Sequence, residues 1–103
     1  MEVQILKSTS KGKKFTAIFY KDGKKVKTTH FGAISKTDPN NDFTRHGDEA
    51  RKKRYLDRHR KRENWNDPMS AGALSRWILW NKKSLSSSIE DYLKRFNLKK
   101  YKK

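Results

Sequence analysis

The chain has 103 residues, the length of one domain, with 27 Lys and Arg against 11 Asp and Glu and a formal net charge of +16. It contains no cysteine, which excludes disulfides, Cys-ligated zinc and thiol catalysis. Only 32% of residues are apolar, so the core must be small, with the 12% of aromatic residues filling much of it.

The charge exceeds the magnitude of ~2 to 8 that keeps a small domain soluble. Such an excess repels itself in a compact state, and a polyanion would relieve the repulsion. Residues 1–50 carry 10 basic and 6 acidic groups (+4), whereas residues 51–103 carry 17 and 5 (+12), so the second half dominates the field. No basic region followed by an apolar run opens the sequence, and no apolar stretch approaches the ~20 residues that span a bilayer. An intracellular protein with no membrane partner is expected.

In chain order, Val3 and Ile5 alternate as in a short strand, and residues 8–12 form a gap rich in turn formers. Phe15–Tyr20 and Lys25–Phe31 flank Asp22-Gly23, a two-residue hairpin signal. With those two residues as the loop, the pairs are Tyr20/Lys25, Phe19/Val26, Ile18/Lys27, Ala17/Thr28, Thr16/Thr29 and Phe15/His30. One face then collects Phe15, Ala17, Phe19 and Val26 for the core. The other carries Tyr20, Lys25 and Lys27, as a ligand surface or an ordinary solvated face. Residues 32–47, including Asp38-Pro39-Asn40-Asn41, have no periodicity and are expected to be a loop.

A first helix is expected from Asp48 to Glu63, with acids at its start and bases at its end. Asp67 as N-cap and Pro68 at the first helical position predict a second, with Leu74, Trp77 and Ile78 on one face. Ser84 is the expected cap of a third, whose apolar residues are Leu85, Ile89, Tyr92, Leu93 and Phe96; Ser87 and Glu90 offer a later capping box. Lys99–Lys103 reads as a frayed basic tail. The expected class is α+β: an N-terminal antiparallel sheet of two to three strands followed by three helices. The whole is a single basic domain, residues 1–103, divided as sheet 1–31, loop 32–47, helices 48–97 and tail 98–103.

The most informative segment is residues 51–62, with eight bases and one acid. On a helix Arg51, Arg54, Arg58 and Arg62 form one basic row, with Tyr55 and Leu56 or His59 packing the helix onto the body. Arginine favours planar, bidentate contact with phosphates, and one acid cannot offset eight bases. The phosphate-contacting set is therefore expected to be Arg51, Lys52, Arg54, Arg58, Lys61 and Arg62. Arg76, Lys82 and Lys83 are helpers, and Lys25 and Lys27 a second contact. The alternative is a solvated helix face held by pairs such as Asp57 with Lys53 or Lys61. Trp77 belongs to the core pattern, Trp65 reads as a wedge in the connection, and Trp80 is open between core and stacking. Ala71-Gly72-Ala73 allow close packing. His46-Gly47-Asp48 is the only tight His–Asp arrangement, and no HExxH, P-loop, Gly-x-Ser-x-Gly or dinucleotide fingerprint occurs. No catalytic residue, metal or cofactor is expected.

The strings Phe15–Tyr20, Thr28–Ala33, Arg54–Arg60, Glu63–Pro68 and Ala71–Lys82 resemble a small uncharacterised basic family of giant nucleocytoplasmic DNA viruses of algae and amoebae. The resemblance runs from about Lys13 to Asn97 and departs most in residues 32–47, at Pro39 and the Asn pair. It implies a protein made in an infected cell, in the nucleus or a cytoplasmic virus factory, or packaged in the virion. Nucleic acid is then the expected partner, DNA ahead of RNA. The competing expectation is a virion structural or adaptor protein on an acidic protein surface, with exposed aromatics such as Tyr20 or Trp65 as anchors.

Overall fold

The computed structural model describes residues 1–35, 37–38 and 41–101. Four strands and four helices give an α+β fold: β1 (Glu2–Lys7), β2 (Lys13–Lys21), β3 (Lys24–Ala33), α1 (Phe43–His46), α2 (Glu49–His59), α3 (Ala71–Leu74), α4 (Leu85–Arg95) and β4 (Lys99–Lys100). A π-helical turn, Ser75–Leu79, continues α3. The sheet is mixed, in the order β3-β2-β1-β4, with β4 parallel to β1 and the other pairs antiparallel.

Asp22 and Gly23 both take positive φ, as a type I′ turn requires. The expected register holds only at Tyr20↔Lys25. The next pair is Phe19↔Lys27, so Val26 is an extra residue in a bulge and the rest of β3 shifts by one. Phe31, not His30, now lies opposite Phe15, and the two rings stack at 5.8 Å. The shift fully buries Phe31 and leaves Val26 about half exposed. Burying the larger ring at the expense of Val26 favours the bulged register, since full burial of such a side chain contributes ~1.5–3 kcal/mol. Lys25 and Lys27 consequently fall on opposite faces of the sheet rather than sharing one.

Val3, Ala17, Phe19 and Phe31 form the sheet's buried face, joined by Phe43, Leu74, Ile78, Leu79 and Tyr92. On the alternate face Gln4, Leu6, Ile18, Thr28 and His30 are half-buried or exposed. There the Tyr20 ring stacks on Tyr101 at 3.7 Å. The tail is not frayed up to that point: Lys99 N–H donates to Met1 O and Tyr101 N–H to Val3 O. Asn97, in the left-handed region, ends α4, and Leu98 N–H closes back to Leu93 O.

The helical half also departs from expectation at its boundaries. Residues 32–47 are not a simple loop, because α1 lies inside them and buries Phe43; four residues are too few to show a helical period. The part of the expected loop at Pro39 and Asn40 lies outside the described residues. Helix α2 stops at His59 rather than Glu63. Past it, Glu63 accepts from Trp65 Nε1 and lies 3.3 Å from His59 Nδ1, which folds the chain back on the helix end. The next helix begins at Ala71, not Pro68, and Ser70 caps it through Ala73 N–H. The Pro68 and Met69 carbonyls are held outside any helical ladder, since Tyr92 OH donates to the first at 2.6 Å and Thr29 Oγ1 to the second at 2.8 Å. Ser84 caps α4 as expected.

Candidate nucleic-acid interface

Helix α2 is polar almost throughout, and Tyr55 is its one buried residue. It is held by a column of rings: Tyr55 stacks on Trp80 at 4.2 Å and 3°, His59 stacks on Tyr55 at 4.2 Å, and His46 leans on Trp80. Its N-terminus is fixed by Asp48, whose Oδ1 accepts from Ala50 and Arg51 N–H. His46 Nδ1 in turn accepts from Asp48 N–H at 2.9 Å. The His46–Asp48 pair is thus a capping assembly. Among the described residues no group of three His, Cys, Asp or Glu is placed to hold a metal ion.

This anchoring aims one row of α2 into a cleft of about 500 Å³. Arg51, Arg54 and Arg58 line one side, and Lys13, Lys14 and Ala33 come from the ends of β2 and β3. At 1.5 Å per residue the row from Arg51 to Arg58 is about 10.5 Å long. Arg54 and Arg58 are exposed, and neither side chain has an ion pair or hydrogen bond to another described residue. Arg51 is partly engaged, by Asp38 at 2.7 Å. The acids in the cleft are occupied as well. Asp42 is buried, pairs with Lys14 and accepts from Thr44 Oγ1, while Asn41 accepts from the same Lys14 at 2.6 Å. Glu63 is held by Trp65 and His59 and lies against Gly72, where a Cβ would meet it at 3.0 Å.

The expected set therefore divides. Arg51, Arg54 and Arg58 share the cleft. Lys61 and Arg62 are exposed beyond the end of α2, so Arg62 does not extend the row. Lys52 is turned inward: its Nζ donates to Asn81 O at 2.8 Å and sits 4.8 Å from the centre of the Phe43 ring. Burial, with the charge of Arg76, holds its pKa below the ordinary lysine value. Arg76 is also absorbed, lying 4.1 Å over Trp77 and 5.4 Å over Trp65 and donating to Trp80 O at 2.9 Å. Burial and the neighbouring Arg95 lower its pKa. Trp80 is buried, and Trp77 Nε1 donates to Trp65 O, so the tryptophans lock the helical half together. Lys82 and Lys83 are exposed but do not line the cleft, and Lys25 and Lys27 lie at the hairpin end. Lys13, Lys14 and Asp42 were not foreseen as parts of a site. No period relates a Lys pair at a strand start to a helix almost forty residues later.

A family described as "Family of unknown function (DUF5754)" matches residues 3–59, more than half of the chain. The chain belongs to that family. The match takes in β1 from Val3 onward and all of β2, β3 and α2, so the Lys13, Lys14, Asp42, Arg51, Arg54 and Arg58 side of the cleft lies within the family's extent. The Trp80 and Gly72 side lies beyond it. No curated protein and no solved structure matches the chain. No helix among the described residues is long and apolar enough to cross a membrane.

Proposed function

We propose that the protein is a non-catalytic nucleic-acid-binding protein that contacts phosphates through the Arg51, Arg54 and Arg58 row. The observation that carries this reading is the pair Arg54 and Arg58: exposed, with no ion pair or hydrogen bond to another described residue, and converging with Lys13 on one cleft. Unpaired guanidinium groups facing a concave surface attract a polyanion by field focusing and counterion release. Lys61 and Arg62 extend the positive field past the helix end. The likeness to the giant-virus family, carried into this reading, makes the polymer a large DNA genome or its transcripts in an infected cell, with DNA ahead of RNA.

The test is fluorescence anisotropy of a labelled nucleic acid across a salt series, with heparin as competitor. The expected result is a steep log–log salt slope, a preference for nucleic acid over heparin, and at least a tenfold loss of affinity in Arg54→Glu/Arg58→Glu, corresponding to about 1.4 kcal/mol. Binding no better than to heparin, or an unchanged affinity in the folded double variant, overturns the assignment. In that event, capture of one protein from a nuclease-treated virion extract would point to the adaptor role.

A further inference from the structure

The basic cleft does not end at Lys13 and Lys14. A second cleft, of about 560 Å³, shares Lys13, Lys14 and Asp42 with the first and continues beyond them. Its lining differs in kind. Phe15, Ile34 and Leu85 give it an apolar floor, and Lys7 and Arg45 stand at it as further cations. Ile34 is 53% exposed, so its side chain is open to a ligand at this cleft. The boundary between the clefts is the Lys14–Asp42 pair, where the acid is already neutralised and accepts a second hydrogen bond from Thr44. A polyanion crossing there meets no free carboxylate among the described residues.

We propose that these two clefts form one track for a single strand, with phosphates along Arg51, Arg54 and Arg58 and an unstacked base against Phe15, Ile34 and Leu85. This deepens the nucleic-acid reading and rests on it. A duplex keeps its base faces stacked inside, so an apolar pocket beside a phosphate wall has nothing in it to bind. A single strand offers both surfaces at adjacent positions, and stacking of a base on an aromatic ring, for which Phe15 is the candidate here, contributes ~1–3 kcal/mol in proteins that use it. The shape argues the same way. A helix that reads the major groove must protrude into a channel ~12 Å wide. Here the arginine row faces a cleft whose other side is built by Lys13 and Ala33, so the helix is flanked by the sheet end rather than free to protrude.

The experiment uses the full chain and five probes: a labelled DNA single strand, the RNA strand of the same sequence, the DNA annealed to its complement, an abasic strand of equal length, and heparin. Either single strand is expected to bind about tenfold or more tightly than both the duplex and the abasic strand. Ile34→Asn, at an exposed site that should fold normally, is expected to lower single-strand affinity about fivefold and leave the abasic strand and heparin unchanged. Ile34→Trp is expected to raise single-strand affinity. A duplex bound as tightly as the single strand, an abasic strand bound as well as a normal one, or folded Ile34 variants without effect overturns the single-strand track while leaving the nucleic-acid reading intact. All probes bound no better than heparin overturns both.

Discussion

Two groups of cations that are indistinguishable as residue types have opposite fates in this fold. Lys14, Lys52 and Arg76 are drawn inward, onto Asp42, the Asn81 carbonyl, and the Trp77 ring with the Trp80 carbonyl. Arg54 and Arg58 stand open on the cleft. What separates them is whether a distant part of the chain supplies an acceptor or a ring face. A guanidinium over tryptophan is attracted by the ring quadrupole, more strongly as water is excluded. A helix face turned to a cleft gains nothing of the kind from its own protein. Net charge therefore overstates the cations available to a ligand, and the open ones are identified by their missing partners.

The sharpest way to break this comparison is at Asp42. Its side chain is 4% exposed and that of its partner Lys14 14%. Asp42→Ala leaves a largely covered ammonium with Asn41 Oδ1 as its remaining acceptor and is expected to cost roughly 3 kcal/mol, read from the denaturant midpoint. A loss below about 1 kcal/mol would move Lys14 into the open group. Next is Arg76→Met, which keeps the stem but removes the bond to Trp80 O and the contact with Trp77. Roughly 2–3 kcal/mol is expected from an unpaired buried carbonyl and a lost cation–π contact. Nucleic-acid affinity should barely change; a large drop in binding without a drop in stability would return Arg76 to the contact set.

A smaller effect, visible only with pH, comes from His46. Its Nδ1 accepts the Asp48 N–H, so the ring proton of the neutral form is on Nε2, which is buried and unpartnered. Burial first, and then the charge of Arg51, lowers its pKa below 6.5, against a partial opposing pull from Asp48, Asp42 and Asp38. Protonation would add a hydrogen at Nδ1 and break the bond to Asp48. The unfolded chain takes up this proton at higher pH than the folded one, so the contribution is fully present above 6.5 and is lost as pH falls below it. Denaturation at a series of pH values should show this slope, and His46→Asn, which can still accept from Asp48 N–H but does not titrate, should flatten it. An equal slope in both proteins would place the dependence elsewhere.

Local rules read well wherever one short segment decides its own geometry. Asp22-Gly23 and Ser84 were legible for that reason, as was the inward packing of Tyr55. The failures occur where a distant contact outvotes the local signal. Asp67-Pro68 is a sound helix start by itself, but Tyr92 and Thr29 claim its carbonyls from other elements. The bulge at Val26 exists because Phe31 fills the core better, which no turn chemistry reports. The site shows the same limit. The arginine row was readable from helical spacing, because Arg51, Arg54 and Arg58 share a face by the period alone. The second wall was not, since Lys13 and Lys14 reach it only through the β2–β3 pairing and the placement of α1.

The smallest expected change in stability belongs to the open group, and it is the most discriminating. Arg54→Glu/Arg58→Glu lowers the net charge from +16 to +12, since each reversal removes two units. If the two guanidinium groups stand free, nothing internal is lost, and stability should move by no more than roughly 0.5 kcal/mol. The sign is informative as well. Relief of self-repulsion should make the variant slightly more stable at low salt, and the difference should fade as added salt shortens the ~10 Å screening length found at 0.1 M. A destabilisation above about 1 kcal/mol would mean that the row supports α2 from within, and its arginines would then belong with Lys52 and Arg76. A stable variant that has lost its ligand is the outcome that the open cleft requires, because only groups without an internal role can be reversed at no cost to the fold.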